Sequence, residues 1–297
     1  MKKTVKFGHL NTWVYKKLTG VWATEQTNAS MTGMYETITE KGWSEDIVTA
    51  FGIPKEKLPD IHATGDVLGT LLPKVAKALG LKAGIPVVLG GNDAATAHLG
   101  AGNFRAGDIL NTVGSSEIIT ILSDKPVIND KYYLRKAVNR GMWQMFAITL
   151  GGFAIDWFKN SMYEDISNEQ FFEVVVPRVM AKGRGNSTVK FFPHLAGDRQ
   201  SLLKKKGSFT GMTLDTTKDD LLMALFYGIN EPIRQTIELA SKFMTINNPI
   251  KVTGGLNRIN GYMELKKEIF GDFHFQAVDD CPILGNGVMA LEALKNR

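Results

Sequence analysis

The stretch Val87–Thr120, VVLGGNDAATAHLGAGNFRAGDILNTVGSSEIIT, places an acidic residue just past an apolar run and a second glycine turn one strand further on. Its opening β-branched residues, between Pro86 and Gly90, read as a buried strand. Asp93 follows at the head of AATAHLGAG, which reads as a helix, so its carboxylate stands where a strand hands over to a helix. Open α/β sheets bind their ligands at such positions. Past Gly107 the pattern changes to consecutive strands, DILNTVG, SEIITILS and MWQMFAITLGG, and a glycine turn joins the first two as a hairpin.

Upstream of this stretch the chain opens on a helix rather than a strand. HLNTWVYKKLTG sets Leu10, Trp13, Val14 and Leu18 at helical spacing and ends at Gly20, a natural C-cap. GWSEDIVTAFGIP is a second short helix, with Ser44 as N-cap, Ile47, Val48 and Phe51 on one face, and Gly52 and Pro54 closing it. Downstream, FAIDWFKNSM is a helix and EQFFEVVVPRVMA follows it. TVKFFPHLAGDR is a strand then a loop, and TKDDLLMALFYGINEPIRQTIELASKFM is a long amphipathic helix. PIKVTGG is a strand, GYMELKKEIFG a helix, and NGVMALEALKN closes the chain. Strands clustered before helices predict an α/β sheet covered by helices, with a boundary near residue 103.

Composition narrows the function classes. The 297 residues carry a 44% hydrophobic and 22% charged share, ordinary for a folded chain of one or two domains. The net charge of +5 is scattered, and the run Lys204-Lys205-Lys206 has no interleaved aromatics, which argues against a nucleic-acid surface and suits a small anionic ligand. A single cysteine, Cys281, excludes a disulfide framework and a Cys/His zinc site and fits the cytoplasm. No apolar run approaches the ~20 residues of a membrane span, and MKKTVKFGHLNTW is not a secretory signal.

Familiar nucleotide signatures fail. GAGNFRAG lacks the third glycine of the dinucleotide fingerprint and follows a helix, no GxxxxGK[ST] occurs, and the serine turn has no GxSxG frame. What remains is a set of glycine turns. Gly114-Ser115-Ser116 offers backbone N–H groups and hydroxyls to phosphate oxygens, although taken alone a hairpin needing small residues explains it better. Gly254-Gly255 lies between a strand and a helix, where a missing Cβ lets a base or phosphate approach, or where the turn is simply tight. Asp93 is a natural general base for an attacking hydroxyl, with a helix N-cap as the alternative.

The succession resembles the FGGY family of carbohydrate kinases, the xylulokinase and gluconokinase branches in particular. The matching pieces are HLNTWVYKKLTGVWATEQTNAS, GDVLGTLLPKVAKALGLKAGIPVVLGGNDAATAHLGAG, GDILNTVGSSE, FFPHLAGDR, GSFTGMTLDTTKDDLLMALFYGI, VTGGLN and LGNGVMA, collinear over nearly the whole chain. The resemblance implies the actin-like, ribonuclease H-like ATPase fold, with ATP and Mg bound between two domains and a sugar or polyol as substrate. It implies that Asp93 is the catalytic base and that Asn92 and Asp93 contact the sugar. Gly114, Ser115 and Ser116 fall on the phosphate-contacting turn, Gly254, Gly255 and Asn257 on the nucleotide turn, and Gly151 and Gly152 on a further pair bordering the cleft. No separate metal ligands are implied.

The family pattern is departed from at Leu225, at Tyr227, at Thr253 and in GDRQSLL, which lacks an expected Glu-Arg and proline. Family kinases begin with a strand and an Asp-x-Gly-Thr hairpin, a motif this sequence does not contain. The resemblance therefore implies that residues 1–102 are the remnant of the N-terminal, sugar-binding domain and 103–297 the complete C-terminal, nucleotide-binding domain. An apolar surface left on the remnant would favour a homo-oligomer or a missing N-terminal kinase half as partner. The alternative reading is a non-catalytic or split-kinase module that binds nucleotide weakly and needs a partner chain.

Overall fold

In the computed structural model, which describes residues 3–199, 201 and 203–295, the chain opens on helix α1 (Leu10–Thr19), closed by Gly20 in the left-handed conformation. Strand β1 (Ala23–Glu25) leads into α2 (Gln26–Met31), and α3 (Glu45–Ala50) follows. β2 (Asp60–His62) pairs with β1 in parallel. β3 (Val67–Thr70), α4 (Pro73–Leu79) and β4 (Pro86–Val88) follow, β3 and β4 forming an antiparallel pair, and α5 (Asp93–Gly100) ends this part.

Two expectations for this region are corrected. Leu10, Trp13 and Val14 face outward, and α1 instead buries Thr12, Tyr15 and Thr19. The polar tip of Tyr15 decides this, since its hydroxyl donates to Val87 O and accepts from Leu68 N, pinning α1 to β3 and β4. β4 is only half-buried and three residues long, because its partner is the edge pair rather than a central sheet.

The remaining chain builds a six-stranded sheet in the order β12-β11-β5-β6-β8-β7. Its strands are β5 (Ile109–Val113), β6 (Ser116–Ser123), β7 (Tyr133–Lys136), β8 (Trp143–Leu150), β11 (Ile250–Thr253) and β12 (Phe275–Ala277). β12, β11 and β5 run parallel, whereas β5, β6, β8 and β7 are successively antiparallel. The three foreseen strands of the 107–152 region are present, and β7 is a fourth that the sequence pattern concealed. Between the strands lie α6 (Gly152–Met162), α7 (Asn168–Gln170), a π-helical turn Phe171–Val175, α8 (Val176–Lys182), the antiparallel pair β9 (Lys190–Phe192) and β10 (Ser208–Thr210), α9 (Lys218–Ser241) and α10 (Tyr262–Phe270). α11 (Cys281–Lys295) closes the described chain. Met1, Lys2, Gln200, Leu202 and Asn296, which fall in segments read above, lie outside the described residues.

Both faces of the sheet are buried, and the strand period of two sorts the side chains. Ile109 and Val113 of β5 with Ile119 and Ile121 of β6 join the main core beneath α6, α9 and α10. Leu110 points the other way, into a cluster with Ala97, Ala101 and Cys281, so α5 and α11 cover the opposite face. Those two helices cross at glycines: a Cβ on Gly100 would stand 1.9 Å from Cys281 O, and one on Gly285 2.0 Å from Thr96 O. Asp93 thus opens a helix lodged against the same sheet that carries the glycine hairpin.

Beneath the sheet, Lys266 of α10 is fully buried and spends its three N–H donors on Glu117 Oε1 (2.7 Å), Asn111 Oδ1 (2.8 Å) and Asn230 Oδ1 (2.6 Å). Tyr262 donates to Glu117 Oε2 at 3.0 Å, which completes the second carboxylate oxygen. Every charge in this network is paired, as burial demands. Of the departures from the family pattern, Leu225 fills the core of α9 and Tyr227 bonds Glu268 of α10.

Candidate active site

Three glycine turns that are far apart in sequence meet at the tip of the β5–β6 hairpin. Val113 pairs with Glu117, so Gly114, Ser115 and Ser116 connect the two paired positions, and Gly114 N donates to Ser116 O at 3.0 Å. The start of α6 closes over it: Gly151 N and Phe153 N donate to Ser115 O at 3.2 and 3.0 Å, and Gly152 N to Gly114 O at 2.8 Å. A Cβ on Gly151 would lie 2.6 Å from Gly114 O, so no other residue permits this approach. From the other side Gly254 sits on Val113, with φ +113° and an imaginary Cβ 2.5 Å from Val113 O, which explains a glycine there on both counts.

Gly255 differs from its neighbour. A Cβ there would meet nothing within 4 Å, so its backbone faces open space. It borders a cavity of about 370 Å³ lined by Phe172 and Glu173 of the π-helical turn, Pro177, Arg258, Ile259 and Asn260. Asn257 lies in the short 3-10 turn Gly255–Arg258 at the same edge. A second cavity of about 290 Å³ shares Pro177 and Asn260 and continues past Gly261 to Glu264 and Glu268. The cradle beside Gly255 is therefore shaped by an absent side chain and a neighbouring helix, which suits a flat, phosphate-bearing ligand.

Arg199 is a member of this site that sequence reasoning passed over. Its Nη1 donates to Ser116 Oγ at 2.7 Å, while its carbonyl accepts from Tyr133 OH at 2.8 Å. This brings one guanidinium to the hairpin tip. The only signal was an arginine in FFPHLAGDR, a loop following a strand.

Asp93 is the first residue of α5 and is exposed, its Oδ1 accepting from Ala94 N at 2.7 Å. Asn92, the N-cap, is held from two directions. Its backbone N donates to Thr27 Oγ1 at 2.8 Å, and its Oδ1 accepts from Arg135 Nη1 at 3.2 Å. Thr27 leans in turn on Glu25, a fully buried carboxylate that also accepts from Thr64 Oγ1 at 3.0 Å. The glycine turns thus gather at the hairpin tip, and the Asn92–Asp93 pair stands apart from them at the start of α5. Further along α5, fully buried His98 contacts Thr120 Oγ1 of β6 at 2.7 Å.

A sheet with helices on both faces in this arrangement is the actin-like, ribonuclease H-like fold. The glycerol kinase of Plasmodium falciparum, solved with ADP, superposes with a TM-score of 0.81 over 98% of this chain and 58% of its own, at 21% identity. Residues 1–100 match the N-terminal domain of the FGGY family of carbohydrate kinases. A xylulose kinase of Bacillus subtilis (strain 168) is 28% identical over 274 residues, covering 91% of this chain and 54% of that protein. A gluconokinase of the same strain is 24% identical over 281 residues, covering 90% and 54%. The chain spans about half the length of these curated relatives.

Among the described residues no group of three or more His, Cys, Asp or Glu is arranged to hold a metal ion, and no helix is long and apolar enough to cross a membrane.

Proposed function

We propose that this chain carries the nucleotide site and catalytic base of an ATP-dependent carbohydrate kinase, with residues 1–102 belonging to the sugar-binding domain and 103–297 to the nucleotide-binding domain. The observation that carries this reading is the convergence of Gly114–Ser116, Gly151–Gly152 and Gly254–Gly255 on one hairpin tip beside an open cradle. The residues present fit a nucleotide: Gly255 leaves room for its backbone-side approach, and the hairpin offers small hydroxyl-bearing residues to its phosphates.

Mg-ATP, when bound, supplies the phosphoryl group that is transferred. Ser115, Ser116 and the Gly114 turn hold phosphate oxygens, Arg199 adds positive charge at Ser116, and Gly254, Gly255 and Asn257 border the nucleoside. Asn92 and Asp93 contact the acceptor, and Asp93 takes the proton of the attacking hydroxyl. Phosphoryl transfer depends on such positioning and charge stabilisation more than on covalent chemistry. Magnesium, when bound with the nucleotide, would supply charge neutralisation at its phosphates.

The acceptor is a ketose or aldonate, xylulose-like or gluconate-like, a choice supported by similarity to a xylulose kinase and a gluconokinase. The test is release of ADP from Mg-ATP by the purified chain with D-xylulose, D-gluconate and glycerol in turn, repeated with Asp93→Asn. One acceptor should be turned over, and the variant should lose about a hundredfold or more of that rate, the usual weight of a general base. A folded chain without turnover, or an Asp93→Asn variant with normal turnover, contradicts the reading.

A further inference from the structure

Arg135 lies on β7, the edge strand that the sequence pattern did not reveal, and it is 2% exposed. An arginine this deeply buried needs partners for five N–H donors. Its Nε donates to Gln144 Oε1 of β8 at 2.8 Å, its Nη1 reaches Asn92 Oδ1 at 3.2 Å and Met31 Sδ at 3.5 Å, and the guanidinium lies 4.4 Å from the centre of the Phe146 ring. Nη2 is buried without a hydrogen-bond partner. Burial lowers the guanidinium to about 10, and the charges of Asp93 and Glu25 act against that lowering.

These contacts form a chain across the molecule. Glu25 holds Thr27, Thr27 holds the backbone of Asn92, and Arg135 holds the Asn92 side chain from the sheet. Asn92 O then accepts from Ala95 N and Thr96 N, the first hydrogen bonds of the helix that presents Asp93. Among the described residues, Arg135 is the side chain of the sheet that holds Asn92.

We propose that Arg135 is a positioning residue for Asp93: through Asn92 it fixes the start of α5 against the edge of the sheet. This rests on the assignment of Asp93 as the base. A guanidinium serves here because it grips Gln144 and Asn92 at once from a stacked plane, which a lysine cannot do.

Hydrogen exchange of the full chain tests it, with wild type, Arg135→Lys, Arg135→Gln and Asn92→Ser compared, and turnover measured alongside. Amides of residues 94–96 should exchange about tenfold faster or more in Arg135→Gln and Asn92→Ser, the weight of one charge-assisted hydrogen bond, while β5, β6 and β8 keep wild-type protection. Arg135→Lys should restore part of that protection. The acceptor turnover number should fall about a hundredfold in the same two variants with KM for ATP unchanged. Wild-type exchange at 94–96 in a folded variant, or equal loosening throughout the sheet, overturns the proposal. Asn92→Ser decides the matter if the arginine variants do not fold. Loosening at 94–96 in a chain without turnover contradicts the kinase reading and leaves the strut standing, so the two failures are told apart.

Discussion

Acidification should weaken this fold through His98, by an amount its surroundings set. The ring is fully buried between α5 and β6. Thr120 Oγ1 donates to Leu110 O, so it accepts from the imidazole, which assigns the proton to Nε2. Nδ1 is then left to accept from Asn103 Nδ2 at 3.3 Å. A second proton on the ring would have no acceptor and would sit in a dry site near Arg135. Burial first, and that charge second, push the imidazole down to about 3 from the usual 6.5.

Between those values the unfolded chain binds a proton that the folded chain refuses, so this contribution is complete above pH 6.5 and is lost as the pH falls toward 3. The slope is about 1.4 kcal/mol per pH unit, or about 2 kcal/mol between pH 7.5 and 5.0. Urea denaturation followed by far-ultraviolet circular dichroism, wild type against His98→Gln at each pH, isolates the ring because other titrating groups are common to both. The wild-type advantage should shrink by about that 2 kcal/mol. A gap constant to about 0.5 kcal/mol across the range refutes the buried neutral imidazole.

Lys266→Met strands the Glu117 carboxylate in the core and should cost about 3–5 kcal/mol in the same assay, whereas Glu117→Gln combined with Lys266→Met should cost less than the single change. A single-variant loss below about 1 kcal/mol would refute the paired-charge description. Gly100→Ala forces a methyl into Cys281 O at the α5–α11 crossing and should destabilise by about 1–3 kcal/mol, read as a lowered denaturation midpoint. Unchanged stability there would mean that the two helices do not meet as closely as described.

Much of this architecture was legible because its signals are local. Gly20 and Gly52 closed helices where a left-handed residue was needed, and the strand β5, hairpin and strand β6 followed from consecutive strand segments joined at the Gly114 turn. The carboxylate of Asp93 could be placed at a helix start from the Gly-Gly-Asn-Asp turn alone. Other features depend on partners distant in sequence. Tyr133–Lys136 is a strand only because β8 offers it an edge, and its Arg135 and Lys136 read as surface charges until Asn92 and Glu40 are seen beside them. Trp13 and Leu10 carry a helical stripe that faces largely outward, since Tyr15 anchors the opposite face. Arg199 joined the hairpin through an 83-residue separation that no short motif encodes.

The account's central claim is that the converging glycine turns bind a nucleotide, and calorimetric titration of the purified chain with Mg-ADP tests it most directly. Saturable one-site binding, retained by Asp93→Asn and abolished by Gly255→Glu, is the result predicted, because a carboxylate at Gly255 would fill the open cradle with like charge. A well-folded chain that gives no binding heat, or binding that survives Gly255→Glu, would contradict it.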